Sequence, residues 1–236
     1  MANLLILDAS SALCSVSLLT DQQDWHICED QPRRHAQRLL PMVDEVLTQA
    51  GLDRHQLDGI AYGRGPGSFT GIRIAASVMQ GIALALDLPL YGVSSLQAIA
   101  QEVAETQQHF QGQQIAAIMD AHMGEVFWGV YELQADGRTV LVGKEQVAAP
   151  EVCLQQLAGF DGIYAGDGLS LEIVKTALAG KNVMADVQPK SQYMAGLVQA
   201  AWQVAEFGNE EQHAPVYLRD SVAWKKLDEQ PSLLKR

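Results

Sequence analysis

The sequence predicts an α/β fold of two related halves, and three observations carry that reading. "NLLILDASSALCSVSLLT" reads as a buried apolar strand, a polar turn from Asp8 to Ser11, and a second strand with Cys14, Val16 and Leu18 on one face. "QIAAIMDAHMGEVFWGVYEL" repeats the plan: a strand ends in Asp120, a turn follows, and another strand runs from Val126 to Leu133. Both units place Asp-Ala directly after the apolar run, so each half opens with a strand–Asp–turn–strand unit. Chance likeness of two hairpins is the alternative. Helical and strand patterns then alternate downstream of each unit, as in α/β proteins. Finally, 236 residues with 48% hydrophobic and 19% charged content suffice for one large domain or two small ones.

The elements follow in order. Arg33 to Ala50 carries Ala36, Leu39, Leu40, Val43, Val46, Leu47 and Ala50 at helical spacing, with Gly51 as its stop and Pro41 as an expected kink. The short strand "GIAYG" leads into a glycine loop. Ser68 to Leu86 forms a second helix with Ile72, Ala75, Met79, Ile82 and Leu86 on one stripe, and it is apolar nearly all round, so burial on more than one face is expected. "DLPLYGVSSLQAIAQEVA" reads as strand, turn and helix, capped by Ser94 or Ser95. After the second hairpin come a turn at Asp136-Gly137, the strand "TVLVG", and a short helix behind Pro150. "GIYAGDGLSLEI" is a strand, a turn and a helix, "SQYMAGLVQAAWQVAEFG" is a terminal helix ended by Gly208, and Gln230–Arg236 is a polar, frayed tail. A boundary near residue 103 separates an N-terminal subdomain (1–103) from a C-terminal one (104–236) whose terminal segment packs back on the first; no linker marks it.

Charge and cysteine usage exclude several classes. A net charge of −12 disfavours independent binding of tRNA or DNA, which relies on a basic face that releases counterions. The one basic cluster, Arg33, Arg34 and Arg38 around His35, reads as a solvated helix face in preference to a phosphate patch. Cys14, Cys28 and Cys153 are scattered, which indicates reduced thiols in a cytoplasmic protein. "MANLLILDAS" is too short in apolar run for a signal-peptide core, and "GIALALDLPLYGV" is broken by Asp87 and Pro89 before it could span a membrane.

The stretch "YGRGPGSFTGIR" concentrates Gly63, Gly65, Gly67 and Gly71 between a strand and a helix. Backbone N–H groups at such a helix start make a ready anion site, with Ser68 and Thr70 as caps and Arg73 one turn inside. Yet no lysine precedes a hydroxyl residue as a Walker loop requires, and Pro66 interrupts any dinucleotide pattern. A tight connection that lets the helix pack close to the sheet is the favoured reading. His26, His35, His55, His109, His122 and His213 show no metal spacing, and no nucleophile elbow or protease cysteine signature is present. Asp8 and Asp120 are the best acid candidates, each with the simpler role of closing its turn. No catalytic residue, metal or cofactor is assigned.

"LILDASSALCSVSL", "RRHAQRLLPMVDEVL", "AYGRGPGSFTGIRI", "MDAHMGEVFWGVY" and "PVYLRDSVAWKK" together resemble the TsaB (YeaZ) family, in its proteobacterial form, from the first strand to near residue 226. The resemblance implies an actin-like fold of the ASKHA (sugar kinase/Hsp70/actin) type. It also implies a role in making threonylcarbamoyladenosine beside the anticodon of tRNAs that read codons starting with A. In that family the transfer belongs to the related subunit TsaD, with TsaE as an ATPase partner, and TsaB is the noncatalytic paralogue that pairs with TsaD. A kinase of this fold needs glycine- and hydroxyl-rich turns after both aspartates, but "DASSALCS" has no glycine and "DAHMGE" only one. Of the histidine pair that TsaD-like proteins use for metal, only His35 stands as a possible relic. Asp8, Ser10, Gly65, Gly67, Ser68, Thr70, Arg73 and Asp120 are therefore vestigial phosphate or turn positions.

A degenerate member that keeps a very apolar helix is expected to be a binding subunit. Its partner surface is placed on the two N-terminal helices, at Arg33, His35, Leu39, Met42, Val43 and Val46 and at Ile72, Ala75, Ala76, Met79, Ile82 and Ala83. One surface would serve a heterodimer with TsaD and a homodimer when TsaD is absent, with TsaE joining a complex and tRNA met only through it. A small actin-like kinase or ATPase is the alternative, and a peptidase is disfavoured for want of a metal or nucleophile constellation.

Overall fold

The computed structural model describes residues 2–30, 33–107 and 111–219. Two five-stranded sheets share one topology. In the first, β1 (Leu4–Asp8), β2 (Leu13–Leu19) and β3 (Trp25–Asp30) form an antiparallel meander, and β4 (Gly59–Gly63) and β5 (Leu90–Val93) join parallel on the far side of β1. In the second, β6 (Gln114–His122), β7 (Glu125–Leu133) and β8 (Thr139–Ala148) make the meander, and β9 (Ile163–Ala165) and β10 (Val183–Met184) join parallel beside β6. The repeat in sequence is thus a repeat in architecture. Asp8 and Asp120 occupy equivalent places on the central strands.

The helices form layers around these sheets. α1 (His35–Ala50) and α2 (Phe69–Leu86) cover one face of the first sheet, where Leu5, Leu7, Val16, Ile60 and Tyr62 meet Leu39, Val46, Ala75 and Met79. The alternate residues Leu4, Ile6 and Ala61 face the other way, against α6 (Ala195–Gln203) and Ala98 of α3 (Ser95–Thr106). The rest of α3, through Leu96, Ile99, Ala100 and Val103, packs on the second sheet. α4 (Pro150–Gln156) and α5 (Glu172–Ala177) cover that sheet's outer face. This is period-two alternation with both faces buried, so each strand feeds two cores.

Local chemistry sets the element ends. α1 begins at His35 and not at Arg33, because Arg33 sits at φ 67° in a turn, and it ends where Gly51 takes a left-handed conformation at φ 65°. The helix continues through Pro41. Ser68 Oγ accepts from Gly71 N at 3.2 Å to cap α2, and Ser94 Oγ accepts from Gln97 N at 3.3 Å to cap α3.

Three expectations need correction. The terminal helix stops at Gln203, not Gly208: Ala205 turns at φ 58°, and Phe207 folds back onto Trp202 and Tyr91. Gly208 instead bridges to Leu90 at the edge of β5. The strands β3 and β10 were not anticipated, although Trp25 and Ile27 alternate with exposed residues as an edge strand should. α2 is buried on one face only. Among the described residues it is the one helix long and apolar enough to cross a membrane, but Ala75, Ala76, Met79 and Ala83 place it as a core helix of the first half. The Gln230–Arg236 tail lies outside the described residues.

Candidate functional site

What the glycine loop approaches is its own chain. A Cβ on Gly67 would lie 2.3 Å from the Ser10 carbonyl oxygen, and one on Gly71 would lie 1.8 Å from the Ala9 carbonyl oxygen. A Cβ on Gly63 would lie 1.8 Å from Asp8 Oδ2. Ser68 N donates to Ser10 O at 2.7 Å, so the first turn of α2 is fastened onto the β1–β2 turn. Gly65, at φ 100°, is covered from outside by the Val216 carbonyl. A side chain at any of these glycines would collide with the chain itself, so the glycines serve a close backbone approach.

The two strand-end aspartates serve their own turns. Asp8 is fully buried and accepts from Ser10 N at 3.2 Å and Ser10 Oγ at 3.0 Å; Ser95 Oγ donates to Ser10 Oγ at 2.9 Å. Burial pushes its carboxyl up from 3.8 to about 7, against the smaller lowering from the Ser10 bonds. Asp120 is partly exposed; it accepts from His122 N at 2.8 Å and pairs with the His122 ring at 3.2 Å. Its own N–H donates to Asp167 Oδ1 at 3.0 Å. Asp8 and Asp120 share no hydrogen-bond partner among the described residues. Nor does any group of three or more His, Cys, Asp or Glu side chains there have the arrangement to hold a metal ion.

The remaining loop positions face outward. Thr70 is exposed, and the Arg73 guanidinium stacks 3.8 Å from the Phe69 ring while its Nε donates to Tyr217 Oη at 3.3 Å. Arg73 therefore holds the C-terminal segment and does not line the loop. That segment, 209–219, was legible only as a motif. His213 Nδ1 accepts from Gly92 N at 3.2 Å, Tyr62 Oη donates to His213 O at 2.7 Å, and Val216 N donates to Arg64 O at 2.8 Å. Arg219 then reaches the second half, donating to Ala121 O at 3.2 Å and pairing with Glu125. A Ser–His contact also went unforeseen: His26 Nδ1 lies 2.9 Å from Ser17 Oγ, which shares a 2.7 Å bond with Ser191 Oγ. Ser17 is fully buried, so this contact joins the halves and offers no nucleophile.

The surface of α1 and α2 differs from the one expected. Leu39, Met42, Val43, Val46, Ile72, Ala75, Ala76, Met79 and Ala83 are buried within the chain itself, because the stripe that helical periodicity picks out is the one that packs on the sheet. Ile82 is half-buried, His35 is half-buried and Arg33 exposed. Arg38 is neutralised by Glu29 and Glu45, bonded at 2.8 Å to each, as a solvated face would be. The outward residues are different ones: Leu84 is 86% exposed and Leu40 48%, with Ser77, Gly81 and Ala85 also open on α2. The signal was there in the apolar character of α2 on all sides.

These features match known proteins over nearly the whole chain. The family model described as "TsaD: tRNA N6-adenosine threonylcarbamoyltransferase" matches residues 27–227. The "tRNA threonylcarbamoyladenosine biosynthesis protein TsaB" of Haemophilus influenzae is 36% identical over 235 residues, covering 95% of this chain and 96% of that protein. The Escherichia coli protein of the same description is 36% identical over 236 residues, covering 95% and 97%. The solved structure of YeaZ from Pseudomonas aeruginosa has a TM-score of 0.81 at 39% identity, covering 92% of this chain and 100% of that one. The α/β fold of two related halves is thus the actin-like one that the motifs implied. With this identity and coverage, the chain belongs to the TsaB (YeaZ) family of tRNA threonylcarbamoyladenosine biosynthesis proteins.

Proposed function

We propose that the chain is a noncatalytic subunit that binds TsaD and activates it for threonylcarbamoyl transfer to the adenosine beside the anticodon of tRNAs reading codons that start with A. The observation that carries this reading is the outward face of α2, where Leu84 stands 86% exposed beside the small residues Ser77, Gly81 and Ala85. Apolar surface of this kind on a soluble scaffold marks an interaction site, and small residues let a second helix approach closely. A partner of the same fold presents its own equivalent pair of helices, so α1 and α2 meet them about a pseudo-two-fold axis. The same face serves a homodimer when TsaD is absent, and the two assemblies compete. TsaE joins as the ATPase of the complex, and the acidic chain meets tRNA only through it, in the cytoplasm.

The glycine loop supports the noncatalytic part of this reading, since Gly63, Gly67 and Gly71 are closed onto Asp8, Ala9 and Ser10. The test is co-purification with TsaD, followed by transfer activity with and without this chain, and nucleotide hydrolysis by the chain alone. Stable pairing, activity that requires the chain, and no hydrolysis are expected. Hydrolysis abolished by changes at Ser68 or Thr70 would favour a kinase or ATPase instead.

A further inference from the structure

The face of the second sheet that turns away from the first half carries a pocket of about 510 Å³, which none of the contacts above uses. That volume falls within the range of small-molecule sites. A bulge in β8 shapes it. Trp128 pairs with Gln146 and Val130 with Val142, so Gly143, Lys144 and Glu145 stand opposite Gly129 alone. Gly143 takes φ 85° to make the bend. Bulges re-aim side chains, and this one sends two neighbours to opposite faces. Glu145 turns inward, accepting from Tyr131 Oη at 2.5 Å, in space left by the missing side chain of Gly129. Lys144 turns to the pocket.

The lining has a defined chemistry. Trp128, Val142 and Phe160 supply flat and apolar walls, while Lys144 is the one charged group among the lining residues. Gln146 Nε2 donates to Gln156 Oε1 at 3.2 Å, which leaves the Gln156 amide donors uncommitted among the described residues. Trp128 is only 5% exposed, and its buried Nε1–H has no acceptor among the described residues. Buried donors of this kind are normally satisfied. An ammonium and an amide, with no carboxylate among the lining residues, form a donor set that selects an anion, even in a chain of net charge −12.

We propose that this pocket binds a small carboxylate carried on a flat apolar body, the body lying against Trp128 and Phe160 and the carboxylate at Lys144. The probe is 1-naphthoate, titrated into the full chain and followed by the indole N–H resonance of Trp128, assigned with Trp128→Phe. A saturable shift of that resonance is expected, weakened at least tenfold by Lys144→Gln, which is about 1.4 kcal/mol. The neutral analogue 1-naphthalenemethanol should bind the unaltered chain similarly weakly. Lys144 is exposed, so its replacement leaves the fold intact. The proposal is overturned if the Trp128 resonance does not shift saturably, or if the alcohol or the Lys144→Gln variant binds as well as the original pair. Perturbations that gather around Leu84 instead of Trp128 would also overturn it.

Discussion

Asp8 shows how burial makes a strand-end carboxyl group structural. Its carboxyl sits at about 7 in the fold against 3.8 ordinarily, because burial disfavours the charge and no cation lies among its hydrogen-bond partners. Between those values the unfolded chain has released a proton that the folded chain keeps, so Asp8 lowers stability as pH rises from about 4 to about 7. A shift of this size corresponds to something on the order of 4 kcal/mol. Asp8→Asn keeps the shape of the neutral acid, so it should be at least as stable as the original near pH 8 and lack this slope. Urea midpoints of both proteins between pH 4.5 and 8 read this out; a difference that stays constant with pH would contradict it. The glycines give a second residue-scale outcome. Gly71→Ala drives a methyl into the Ala9 carbonyl and should cost about 1–3 kcal/mol or more. Thermal unfolding against Gly81→Ala is the comparison, because a methyl at Gly81 meets nothing within 4 Å and should stabilise the monomer by about 0.5–1 kcal/mol.

At the scale of elements, the helices teach what periodicity does and does not tell. The spacing of Leu39, Val43 and Val46, and of Ile72, Ala75 and Met79, marked both helices, but these residues, expected on a partner surface, are buried within the chain. It did not name the face a partner would cover, because burial within the chain and burial between chains use the same apolar residue types. Off the inward stripe, Leu40 on α1 and Phe69 and Leu84 on α2 are the exposed large apolar residues of these helices among the described residues. A charge at Ala76 or Met79 would accordingly damage the core before it tested any interface. Gly81→Ala makes a sharper probe of the element. It should stabilise the isolated helix yet weaken assembly several-fold, since the added methyl separates closely packed helices. Sedimentation equilibrium of the homodimer checks this, and unchanged association would place the contact elsewhere on the surface. The terminal helix was overextended for a related reason: "VAEF" has helix-compatible residues, but Phe207 gains more by packing on Trp202 and Tyr91.

For the whole molecule, the repeat of strand–Asp–turn–strand announced the duplicated sheets, while the way the halves are joined was not legible. Joining depends on contacts far apart in sequence: Ser17 with Ser191, Lys190 with Glu102, and Arg219 with the β6–β7 turn. No local pattern encodes such pairs. The 209–219 segment ties the glycine loop to the second hairpin, so Arg219→Ala should leave the first sheet untouched and loosen that hairpin. The pair is half-exposed, so the cost is about 1 kcal/mol and local. Amide hydrogen exchange at 121–125 should quicken several-fold while β1 and β4 stay protected; equal change in both halves would deny the segment its tethering role. In the proposed assembly the outer face of α1 and α2 binds and activates TsaD. Leu84→Asp tests it most directly, because Leu84 is 86% exposed and its replacement spares the core. The variant should melt like the original chain, be monomeric by light scattering, fail to pair with TsaD, and fail to support threonylcarbamoyl transfer. A folded Leu84→Asp chain that pairs with TsaD and supports transfer as well as the original would contradict the account.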